Sequence, residues 1–168
     1  AASEEAGKAL ASAEDALAAA TAGRAAFATE LSEVDGRKAK LGSVRDEVFV
    51  PMKDGSIEPA TANKAVAAIE AVGKDFSFDG TLLRALSSAG KKALADRSGF
   101  DVVVMEQVAA EFARCERALD EQLANAVPAK AEHEAKVQAA GDEVEGAKSK
   151  ERGCAAALDA AKAEQKEA

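Results

Sequence analysis

The residues of this 168-residue chain best able to do chemistry are two cysteines, Cys115 and Cys154, and a single histidine, His133. On one continuous helix the cysteines would stand roughly 58 Å apart at 1.5 Å per residue. If the chain instead doubles back at Pro128, Cys115 faces a residue near 141 and misses Cys154 by roughly 20 Å. A disulfide needs Cα atoms within about 7 Å, so neither geometry allows Cys115 to bond Cys154. Both read as small residues in a helix seam, and a bond to a partner chain is the remaining use. His133 lies between Glu132 and Glu134. Those neighbours point to different sides of a helix, whereas metal ligands on a helix recur at i+3 or i+4. The histidine therefore reads as a surface or seam residue, and no metal site is expected.

Other chemistry finds no foothold. No glycine-rich phosphate loop follows a strand, and no nucleophile elbow or poised serine accompanies the one histidine. Paired acids such as Asp142-Glu143 sit on an exposed helix with no reason to acquire shifted pKa values. The expectation is a chain without catalytic residues and without a cofactor. One cluster stands above this background: Lys91, Lys92, Arg97, Phe100 and Asp101. It places cations beside a helix junction, which suits a docking surface for an acidic protein partner. The plainer use of the same residues is local: Lys91 and Lys92 favour the end of one helix, Asp101 caps the next, and Arg97 bridges them.

These residues are carried by a helical sequence. Ala, Glu, Lys and Leu dominate, Trp and Tyr are absent, and Phe occurs six times, so a large-residue core has to be small and local. From Leu10 the apolar positions Ala13, Leu17, Ala20, Phe27, Leu31, Val34 and Leu41 alternate three and four apart, interrupted by Arg24 and Lys38. The seam runs on through Val44 and Val48, and Pro51 is expected to stop it. Val137, Ala140, Val144, Ala147, Cys154, Leu158 and Ala161 repeat the spacing, broken at Glu151. This is a coiled-coil signature, with small residues that let two antiparallel helices approach closely. The middle third holds five of the six Phe, with Met52, Ile69, Leu82, Leu83, Leu86, Leu94 and Met105. There a helix is expected from Ala60 to about Lys74, closed by Gly73 and Asp79-Gly80. A second, capped by Asp79 or Thr81, carries Leu82 to Leu94, and a long helix begins at Ser98 or Asp101.

Pro128 decides between two all-α architectures. If it lies within one helix, residues 1–48 and 119–166 form an elongated antiparallel stalk, with Leu10 near Leu158 and Val48 near Leu119, and residues 50–117 form a helical head. If it marks a turn, the result is a four-helix bundle. The concentration of large residues in the middle favours the stalk. A net charge of -8 argues against a nucleic-acid partner. No run approaches the roughly 20 apolar residues of a membrane span. The start Ala1-Ala2-Ser3-Glu4 lacks Met and suits cleavage after small residues, so the sequence reads as a processed form or a fragment.

The stretch Leu82-Leu83-x-x-Leu86, Lys91-Lys92, Arg97-x-Gly99-Phe100-Asp101, Gln107-Val108 and Phe112, with Val48 to Gly55 before it and the tail through Glu164-Gln165, is similar to an alanine-rich helical module that recurs in dinoflagellate proteins. The resemblance covers most of residues 40–168 and carries over no catalytic residue. It implies a scaffold or accessory role: a non-catalytic helical protein docking on a larger assembly. One concrete form is an extrinsic photosystem subunit in the thylakoid lumen after N-terminal trimming, with the cytoplasm as the other compartment. The rival is a carrier of a pigment or luciferin, which needs an apolar cavity that the few aromatics do not favour.

Overall fold

The computed structural model describes residues 2–167, and every regular element among them is helical. Helix α1 (Ala2–Val44) widens into a π turn (Arg45–Phe49) and continues as α2 (Val50–Lys53). A 3-10 turn (Pro59–Thr61) leads to α3 (Ala62–Asp75), followed by α4 (Gly80–Ala89), a second 3-10 turn (Leu94–Asp96) and α5 (Gly99–Glu167). Pro128 lies inside α5, so the turn required by the four-helix alternative does not form there. Its missing N–H leaves the Ala124 carbonyl without the usual bond.

The chain divides into two compact units. One consists of Ser32–Ala124; the other pairs the described residues up to Leu31 with those from Asn125 onward.

In the terminal unit, α1 and α5 run antiparallel along the expected seam. Leu10, Ala13, Leu17, Ala20, Phe27 and Leu31 are half-buried, as are Val137, Ala147 and Cys154, while Ala140 and Val144 are buried. The register differs from the expected one. Phe27 stacks on the His133 ring at 4.9 Å and 24°. Ala9 and Ala13 share a groove with Gly146, Ala147 and Lys150, and the Gly7 backbone adjoins the Glu151 carboxylate. Leu158 therefore does not meet Leu10. It is 46% exposed, and Ala155 to Lys166 are exposed throughout. The offset is about eight residues, or roughly 12 Å of helix.

The other unit holds the large-residue core. Phe112 of α5 lies 5.2 Å from Phe49 and 5.3 Å edge-on from Phe78. Leu41, Met52, Ile69, Val72, Leu86, Met105 and Val108 are fully buried around them. Leu41 comes from α1, and Phe112, Cys115 and Leu119 from α5, so the core reaches beyond residues 50–117 at both ends. The same offset recurs here: Lys38 pairs with Asp120 at 2.5 Å, and Arg45 pairs with Glu116, which replaces the expected Val48–Leu119 contact.

Local chemistry explains where the short helices end. Pro51 does not stop the first helix. The π turn before it absorbs the missing N–H, and the helix closes after Lys53, where Ser56 N–H donates to the Pro51 carbonyl at 2.8 Å and Gly55 takes φ +74. Helix α3 ends by the same device, with Phe78 N–H donating to the Gly73 carbonyl at 2.7 Å and Ser77 in the left-handed region at φ 57. Gly73 therefore does not break α3. It lies within the helix, buried where Leu83 and Phe78 close on its backbone. Asp79 caps α4 by accepting from the N–H groups of Thr81 and Leu82 at 2.8 and 2.9 Å. Those two bonds, Leu82 first, hold its carboxyl below the usual range. Helix α4 stops at Ala89, so Leu94 belongs to a separate turn.

Candidate docking corner at the start of the long helix

The sequence from Lys91 to Asp101 connects α4 to α5, and its chemistry is that of a helix start. Ser98 precedes the first residue of α5 and Asp101 lies three residues further on. The Asp101 carboxylate accepts from the Ser98 N–H at 2.7 Å and the Ser98 hydroxyl at 2.8 Å, and the Asp101 N–H points back to the hydroxyl at 3.4 Å. This is a reciprocal capping box. Lys92 closes it from the other side, with Nζ 2.8 Å from both carboxylate oxygens. Asp101 is 2% exposed, a charged residue buried beside the core. A buried carboxylate is tolerable only when paired and hydrogen-bonded, and here every donor serves that purpose. The Lys92 ammonium first, then the Ser98 hydroxyl and amide, hold its carboxyl at about 2.

Arg97 is also used internally. Its guanidinium donates to the Met52 carbonyl at 2.6 Å and the Lys53 carbonyl at 2.7 Å, two of the last carbonyls of α2; the Met52 carbonyl also accepts from the Gly55 N–H at 3.2 Å. The corner is thus fastened to the core through Lys92, Arg97 and Asp101. Of the five residues singled out in the sequence, Lys92 and Asp101 are brought into contact, Arg97 reaches α2 instead of bridging α4 to α5, and Lys91 and Phe100 remain exposed.

The exposed side is mostly apolar. Phe100 is 68% exposed, Leu94 57% and Val103 50%, with Val102 close behind. Phe100 and Val103 are three apart and share a face of α5. Phe100 and Leu94 had the composition of core residues, yet neither enters the core. Val102 and Val103 carried a signal that the sequence reading passed over: three successive valines on a helix cannot all face inward.

The remaining chemistry-bearing side chains are quiet. Both cysteines are free. Cys115 is buried with Sγ 3.8 Å from the Phe76 carbonyl, and burial pushes its thiol upward in pKa. His133 lies in the seam against Phe27, a pairing that the sequence reading did not foresee. Among the described residues no three His, Cys, Asp or Glu side chains gather as a metal site, and no helix is long and apolar enough to cross a membrane. No family model, curated protein or solved structure matches this chain; it is an all-α protein in which a long C-terminal helix packs against an N-terminal one.

Proposed function

We propose that this chain is a non-catalytic helical accessory protein that docks on a larger protein assembly through the corner formed by Leu94, Phe100 and Val103, with Lys91 at its edge. The reading is supported by one observation above the others. Large apolar side chains stand exposed on a segment that Asp101 ties to Lys92 and Arg97 ties to the end of α2. Such a patch loses area to water unless something covers it, and a preorganised one binds without the cost of ordering a loop. Lys92 spends its charge on Asp101, so the partner's recognition rests on apolar contact more than on acidity.

The test is isolation of the native protein in mild buffer, alone and as a Phe100→Ala, Val103→Ala double variant. The parent chain is expected to migrate in a complex and the variant to run free while melting at nearly the same temperature. A parent chain that migrates alone, or a variant that keeps the same complex, overturns the proposal. Visible absorbance of the purified chain would point to the carrier role instead.

A further inference from the structure

No further inference is drawn: the strongest candidate, the groove between the first turns of α1 and the late turns of α5 lined by Ala6, Ala9, Gly153 and Cys154, is a stripe of small residues beside a lone half-buried cysteine, and nothing in the structure shows what covers it.

Discussion

The same substitution, glycine to alanine, should have opposite effects at Gly36 and Gly90. Gly36 lies inside α1 with nothing within 4 Å of where a Cβ would stand. Alanine there removes the conformational penalty of glycine in a helix and should stabilise by about 1 kcal/mol. Gly90 has ordinary right-handed helical backbone angles, so it needs no special freedom, and packing alone decides its case. A Cβ on Gly90 would stand 2.8 Å from Met52 Sδ, 2.9 Å from Val66 Cγ2 and 3.1 Å from the Leu86 carbonyl oxygen. Met52 and Leu86 are fully buried and Val66 nearly so, and a carbonyl within the helix cannot retreat. Overpacking of this kind costs about 1–3 kcal/mol. Both glycines belong to the unit Ser32–Ala124, so both variants are read against the same parent melt. For a chain of this size 1 kcal/mol moves Tm by about 2–4 °C. Thermal melts followed by circular dichroism should show Gly36→Ala about 2–4 °C above the parent and Gly90→Ala about 2–12 °C below it. A Gly90→Ala chain melting at or above the parent refutes the claim that Met52, Val66 and Leu86 close on that backbone.

Ser77 holds a left-handed conformation that suits glycine, so Ser77→Gly should raise stability by about 1 kcal/mol in urea unfolding; a fall would contradict the assigned turn. Asp101 has a folded pKa of about 2 against an ordinary 3.8. Its contribution is therefore complete above about pH 4 and lost as pH falls from there toward about 2. Replacing it by Asn should lower stability at neutral pH and flatten that part of the acid-unfolding curve, and an unchanged curve would count against the paired carboxylate. Labelling with a thiol reagent should modify Cys154 in the folded chain and Cys115 only after denaturation, because only the second is buried. Equal rates for both thiols would contradict that assignment. Phe100→Ala alone should change stability by less than about 0.5 kcal/mol, since its ring is mostly in water; a larger loss would place Phe100 in the core.

The helical class and most of each seam were legible because they rest on periodicity, which burial obeys directly. Leu10, Leu17, Phe27, Leu31 and Val34 are covered as their spacing requires, and the core residues Phe49, Ile69, Leu86 and Phe112 stand where large side chains were concentrated. The errors have local causes. Proline at position 51 predicts a stop, but a single widened turn takes up a missing N–H. Glycine at position 73 predicts a break, but a neighbour's close approach also demands glycine, and spacing along the chain does not reveal which neighbour comes near. In the corner, sequence position marks Asp101 as a helix cap and Arg97 as a bridge between α4 and α5; the cap forms, while Arg97 reaches α2 instead. Sequence alone could not show that the bridging reaches the Met52 and Lys53 carbonyls, more than forty residues away.

The register error follows from the geometry of the seam itself. Apolar positions repeat about every 3.5 residues, so sliding one helix by two such steps, about seven residues, again brings apolar face to apolar face. Alanine facing alanine or glycine hardly penalises the slip, because the side chains being exchanged have nearly the same volume. What distinguishes one register from another is the residues that break the pattern. Lys38, an interruption in the first seam, finds Asp120 at 2.5 Å. His133, outside the apolar repeat, lies against Phe27, with Gly23 leaving room beside the imidazole. Arg24, the other interruption, is exposed, since Gly23 occupies the seam at that level. In a seam this rich in alanine, the polar and aromatic exceptions specify the pairing, and the apolar repeat supplies only the face on which it occurs.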